Sequence, residues 1–466
     1  MDIRFLETIR REKLRDRLAS LDTLASLFMF SWVIILLQGA IRKWLVPGFS
    51  AAYFLEDIPI LVAYIYAMYK GIVWIGGVLY FVVGISLMLC LQALMQVIII
   101  HYNFISALVA LHHYIFYLPM LFLLPACMTR NNIRKFLRLN LVIIIPMTLI
   151  ALVQSVSPRN AWINQTAAGD EIGRAFGVSL DIARTSGTFN FTLPFSIWCG
   201  IAAAMVVGEW LQPPERRSLR SRTLLLIISL CIALSTITSG SRTAIFLVIL
   251  ALLGAMAATL VLGNAKVTVR IAAILLSIPF LGAVAYLVAP ASIDALEGRF
   301  TQAGAGEEMS TRVLTMTVGF LLYPDFDLLG HGIGLGIPAA EVGAKFMPND
   351  AFWRVGSPYI SEWDNIRAVQ SLGNIVGIIV VLARYGAGIL LFMASFRALL
   401  LPRSQSWPHA VPLAFTLLPT LMIGDMVHSA PIDAPQMYYC TAIILSSFLY
   451  RQESFSYTQL SQLETR

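Results

Sequence analysis

Long apolar runs alternate with short polar segments along almost the whole chain, at residues 23–40, 52–69, 72–91, 104–124, 136–154, 191–211, 223–238, 243–262, 269–288, 365–396, 411–424 and 434–450. Most approach the roughly 20 apolar residues that a helix needs to cross a bilayer. The pattern predicts an all-α fold, a polytopic membrane bundle of about 12 transmembrane helices. Residues 1–21 differ. They are polar and basic, with Phe5, Leu6, Ile9, Leu14 and Leu18 near helical spacing. Two readings stay open for them: an amphipathic helix lying on the membrane surface, and a solvated basic tail.

Charge gives the runs a direction. With the N-terminus inside, most of the 33 Lys and Arg residues fall in cytoplasmic segments, including the N-terminal tail, the Arg130–Arg138 cluster and Arg216, Arg217, Arg220 and Arg222. That asymmetry follows the positive-inside rule and puts both termini in the cytoplasm. The organisation expected is a cytoplasmic segment (1–21), nine helices (22–288), a large outer loop with short helices (289–364), three further helices (365–450) and a cytoplasmic tail (451–466). Long loops carry function more often than short ones, so 155–190 and 289–364 are the expected working surface. Within the second, Ser310 caps a predicted helix reaching Leu322, with Val313, Met316 and Phe320 on one face.

Composition removes the soluble alternatives. Of 466 residues, 58% are hydrophobic and only 13% charged, which a soluble globular chain could not bury. The net charge of +7 is spread over loops and does not point to nucleic acid. Five cysteines form no disulfide framework, and no histidine or cysteine spacing suggests zinc, so no metal and no cofactor are expected.

Arginines on the outer side run against the charge bias. Arg184 stands just before a span, Arg242 follows Ser239-Gly240-Ser241 between two spans, Arg312 is on the loop helix, and Arg367 opens the tenth span beside Glu362, Asp364 and Asn365. Taken singly, each reads as an interfacial anchor whose head snorkels to water. Four together suggest a shared anion site, because a guanidinium presents a fork of donors matched to phosphate oxygens. The seventh span, about 24 Å of helix, is short for a bilayer and would sink Arg242. Arg42, Lys43 and Trp44, facing Glu56 and Asp57, form another cluster: interface anchors by default, or a carboxylate–arginine pair that helps shape the site. Arg384, alone inside a span, calls for a carboxylate partner. His112 and His113 read as packed, without acidic company. Asp325-Phe326-Asp327 has the form of a metal-binding pair, with a turn cap as the competing reading. The glycines of Gly330-His331-Gly332-Ile333-Gly334-Leu335-Gly336 lack the ending of a phosphate-cradling loop.

With these residues in place the chain resembles the superfamily of O-antigen ligases and O-antigen or exopolysaccharide polymerases, bacterial inner-membrane glycosyltransferases. Arg184-x-x-Gly187-Thr188-Phe189-Asn190 resembles that family's outer motif, and Ser239-x-Ser241-Arg242-Thr243-Ala244 its Ser-Arg hairpin. Ser310-Thr311-Arg312, the Leu328–Gly334 stretch and Leu372-Gly373-x-x-x-Gly377 are similar to its large loop and the helix start that closes it. Together these cover roughly residues 130–400. The resemblance implies a metal-independent enzyme of the inner membrane whose donor is a polyprenyl-pyrophosphate-linked glycan. It also implies pyrophosphate contacts from Arg242 and Arg312, and partners among membrane lipids and other polysaccharide-assembly proteins. Asp364-Asn365 stands where ligases carry His-Asn, which favours a polymerase of repeat units over a ligase. A non-enzymatic transporter or flippase is the alternative of another class. Glu362 is the first candidate for the base that takes the acceptor proton, His331 the second and Asp364 the third.

Overall fold

A computed structural model describes residues 3–47, 52, 54–72, 77–165, 184–190, 192–212, 219–262, scattered positions between 268 and 297, 317–322, 327–334, 364–400 and 407–423. Side chains of 3–15, 78, 219, 322, 364, 367 and 419–423 lie outside that description, as do Arg312 and Glu362 entirely. Among the described residues the fold is all-helical, and eight helical spans are long and apolar enough to cross a membrane.

In chain order the described α-helices are α1 (Ile3–Ala40), α2 (Asp57–Tyr69), α3 (Gly77–Ile99), α4 (Phe104–Ile115), α5 (Met120–Cys127), α6 (Arg130–Val156), α7 (Thr192–Leu211), α8 (Leu219–Thr238), α9 (Arg242–Leu262), α10 (Asp364–Leu372), α11 (Asn374–Leu399) and α12 (Ala410–Ile423). A π-helical turn, Ile41–Leu45, extends α1, and one candidate span, Phe104–Cys127, comprises α4 and α5 together. Side-chain caps mark two starts: Asn103 accepts from the Ser106 amide ahead of α4, and Thr129 from the Asn132 amide ahead of α6.

Several expectations need correction. The N-terminal segment is no separate element: α1 runs unbroken for 38 residues through it into the first span. The run 52–69 yields only the 13 helical residues of α2, too short to be a candidate span. Residues 223–238 are not a short span, because α8 begins at Leu219 and has 20 residues, about 30 Å of helix. The predicted tenth helix is two helices. Gly373, at φ +80°, ends α10, and α11 turns back along it so tightly that a Cβ on Gly377 would lie 2.5 Å from the Val369 Cα. Only a residue without a side chain takes that backbone without strain. The run 434–450 lies outside the described residues.

α7 is the axial helix. Phe195, Trp198, Cys199, Ala202 and Met205 are buried on different sides of it, with α6, α8, α9 and α12 packed around. The other helices keep an apolar outer face, for example Ile58, Leu61 and Ile65 on α2. A helix hydrophobic on every side suits a site surrounded by other helices, and a half-exposed apolar helix suits lipid.

Candidate functional site

The site begins with the segment Arg184–Asn190, held where α1 ends. Leu36 accepts a hydrogen bond from the Thr188 hydroxyl through its carbonyl, and a Cβ on Gly39 would collide with the backbone of Thr188–Asn190. On α6, the Gln154 Oε1 accepts from the amides of Ser186 at 3.1 Å and Gly187 at 2.8 Å, while its Nε2 donates to the Gly187 carbonyl. Lys43 completes the clamp. Its Nζ donates to the Ser186 hydroxyl at 3.1 Å and the Gly187 carbonyl at 2.8 Å, and the residue is fully buried. Lys43 is therefore not a snorkelling anchor. Trp44, beside it, packs on Trp162.

From this clamp the Arg184 guanidinium reaches the α8–α9 turn, donating to the Gly240 carbonyl at 3.4 Å. Two residues on, Arg242 is the first residue of α9, half-buried. The turn is self-capped: the Ser239 hydroxyl accepts from the Ser241 amide at 3.2 Å and donates to the Thr236 carbonyl at 2.6 Å. The structure thus brings Arg184 and the turn bearing Arg242 to one place. Around them, Arg184 Nε, the Thr185 hydroxyl and both side-chain polar atoms of Asn190 are buried with no hydrogen-bond partner among the described residues. Buried polar atoms are nearly always paired, so a cluster of unpaired ones marks capacity for a ligand.

A second cluster is centred on Glu56 and Asp57, both buried at the start of α2. Glu56 accepts from the Gln38 amide of α1, and the Arg42 charge, one turn further along, acts on it. The Tyr117 hydroxyl donates to Asp57 Oδ1 at 2.7 Å, and His112 Nε2 lies 2.9 Å from Asp57 Oδ2. His112 was expected to lack acidic company; the sequence separation of α2 and α4 hid the contact.

A third assembly explains the glycine run. Gln92 Nε2 on α3 donates to the carbonyls of Leu329 and Leu372, each at 2.7 Å, and Gln96 Nε2 donates to those of Leu329 and Ser371. Gln96 Oε1 accepts from the Ile333 amide at 2.7 Å. The loop also bonds directly to the α10–α11 break, from the His331 amide to the Gln370 carbonyl at 2.8 Å and from the Asn374 amide to the Asp327 carbonyl at 2.7 Å. Gly332 abuts Tyr102, where burial pushes the phenol well above the ordinary tyrosine range. Asp327 caps the turn, accepting from the Leu329 amide at 2.9 Å. His331 is about half-exposed, with Nδ1 3.8 Å from Asp327 Oδ2.

Arg384 donates to the Oδ1 of Asn365 at 2.6 Å, and the Asn365 Nδ2 donates to the Tyr385 hydroxyl at 3.0 Å. This fold-back pins the first turn of α10, and with it the backbone of Asp364 and Arg367, against the middle of α11. Phe320, expected on one face of the loop helix with Val313 and Met316, is buried against the same hairpin.

No protein-family model matches this chain, and no curated protein matches it.

Proposed function

We propose that this protein is a glycosyltransferase that polymerises oligosaccharide repeat units carried on polyprenyl pyrophosphate, at the outer face of a bacterial inner membrane. The observation that carries the reading is the convergence of Arg184 and the Arg242 turn on one end of the bundle, with unpaired buried donors and acceptors around them. Breaking the bond between sugar and pyrophosphate builds negative charge on the leaving group. Guanidiniums already in place stabilise that charge without reorganisation, and one such donor is commonly worth about 3 kcal/mol. Asn190 and Thr185 are neutral donors and acceptors, the groups suited to sugar hydroxyls. Arg312, Arg367, Glu362 and Asp364 belong to the same proposal from the sequence alone.

The test is a chromosomal deletion complemented with variants. Loss of the gene leaves single repeat units on the carrier lipid, and Arg242→Lys, which keeps the charge but not the planar fork, fails to restore polymer although it inserts normally. Unchanged long chains in the deletion strain would end the polymerase reading. Full-length glycan stranded on the carrier would make the protein a ligase.

A further inference from the structure

Trp162 is a large aromatic residue left in the open beside the Arg184 segment, 58% exposed. It opens the 3-10 turn Trp162–Asn164, a short way past the end of α6. The turn is held firmly. Asn164 is buried, and its Nδ2 donates to the carbonyls of Gln154 at 3.1 Å, Ser157 at 3.2 Å and Pro158 at 2.9 Å. The indole of Trp162 packs on that of Trp44, at the end of α1, with ring centroids 5.6 Å apart and planes inclined by 33°. One aromatic ring thus supports another whose surface is open.

Two ties place this aromatic pair at the Arg184 segment. Gln154 Nε2 donates to the carbonyls of Ile163 and Gly187, each at 3.1 Å, while its Oε1 holds the Ser186 and Gly187 amides. One side chain therefore fixes both the Trp162 turn and the segment that carries Arg184. On the Trp44 side, Lys43 Nζ lies 5.0 Å from the ring centroid and donates to Ser186 and Gly187. An indole at a membrane surface is ordinarily an interfacial anchor. That role asks only for an amphipathic ring at the right depth. It needs neither a second indole behind the first nor a glutamine joining the ring to a segment with unpaired donors and acceptors.

We propose that Trp162, backed by Trp44, is a stacking platform for a pyranose ring of the glycan that reaches the arginine site. The inference rests on the polymerase reading for the identity of that glycan. One face of a pyranose presents C–H bonds with a small positive charge, and the face of an indole is the negative part of its quadrupole. Stacking takes both apolar faces out of water and leaves the sugar hydroxyls at the rim. Because Trp44 and the Asn164 bonds hold the turn in advance, binding has little side-chain freedom left to freeze. Trp162 binds glycan and touches no reacting atom; the charge that builds on the pyrophosphate is still met by the arginines.

The experiment uses the full-length protein in lipid nanodiscs, with oligosaccharides from partial hydrolysis of the host's own surface polysaccharide as the probe. The difference in emission between wild type and Trp162→Phe isolates Trp162 from the other tryptophans. Oligosaccharide shifts that emission, and brominated phospholipid leaves it unquenched. Trp162→Phe binds nearly as the wild type does, because an aromatic face remains. Trp162→Leu, apolar but without such a face, binds roughly 2- to 10-fold more weakly, the range of an aromatic contact. In the complemented deletion strain Trp162→Leu lowers polymer by a similar factor. If that variant fails to insert, the wild-type emission shift decides alone. Oligosaccharide binding by Trp162→Leu equal to that of the wild type overturns the proposal. So does quenching of Trp162 by brominated phospholipid with no response to oligosaccharide, the signature of a membrane anchor. Failure of the polymerase reading looks different: the deletion strain then keeps normal chains while oligosaccharide still shifts the Trp162 emission. That result supports the platform and removes only the reaction assigned to its glycan.

Discussion

Two regions of this molecule hold a loop against the helix bundle, and they do so with opposite economies of hydrogen bonding. At the glycine-rich junction, Gln92 and Gln96 are committed wholly to backbone: their amides meet the carbonyls of Leu329, Ser371 and Leu372, and the Gln96 oxygen takes the Ile333 amide. At the Arg184–Asn190 segment Gln154 and Lys43 also bond the backbone, but Arg184 Nε, the Thr185 hydroxyl and the Asn190 side-chain amide are left over among the described residues. Buried polar atoms without partners cost stability, whereas side-chain amides that tie several backbone groups together fix a single geometry. The first region is therefore built to hold shape. The second retains unused donors and acceptors, as a binding site must.

Substitutions sharpen the contrast through stability and polymer yield measured separately. Gln96→Leu should have the largest effect on stability, because it leaves the buried Ile333 amide without its partner, at about 1–3 kcal/mol, and strips one of two bonds from each of the Leu329 and Ser371 carbonyls. Thermal unfolding in detergent measures it, and a midpoint unchanged from wild type would show that the junction does not depend on this amide. Lys43→Met should cost less, about 1–2 kcal/mol, because Gly187 keeps its bond from Gln154 and a buried ammonium is removed. Its polymer yield should nonetheless fall, since the Arg184 segment loses its anchor to α1. Asn190→Ala should be smallest in stability, within about 0.5 kcal/mol, because no protein bond is broken. Its polymer yield should drop at least as far as that of Lys43→Met; a stable, fully active variant would remove the idea that the unpaired atoms serve a substrate.

The arginines stand out in the sequence because they violate a charge bias, and Arg184 reaches the turn that precedes Arg242. Arg312 and Glu362 lie outside the described residues, and of Asp364 and Arg367 only the backbone is described. The glutamines of α3 carried no signal, since Gln in an apolar run has neither charge nor spacing to mark it. His112 was hidden for another reason. Its partner is 55 positions earlier, and hydropathy treats α2 and α4 as unrelated runs. Arg384 shows the same limit, because charge alone does not point to the Asn365 amide that the hairpin brings to it.

What the sequence determined by itself was the solvent. Apolar runs long enough for a bilayer dictate helices, because within hydrocarbon a backbone must satisfy its own hydrogen bonds. The sequence also marked, through Arg184 and Arg242, where charge is too costly to be incidental. Only the tertiary structure decided where helices break and which polar residues face one another. The break at Gly373, the clamp at Lys43 and the Asp57–His112 pair depend on contacts between helices far apart in the chain. Such contacts are set by the close approach of packed backbones, which no local pattern of residues encodes.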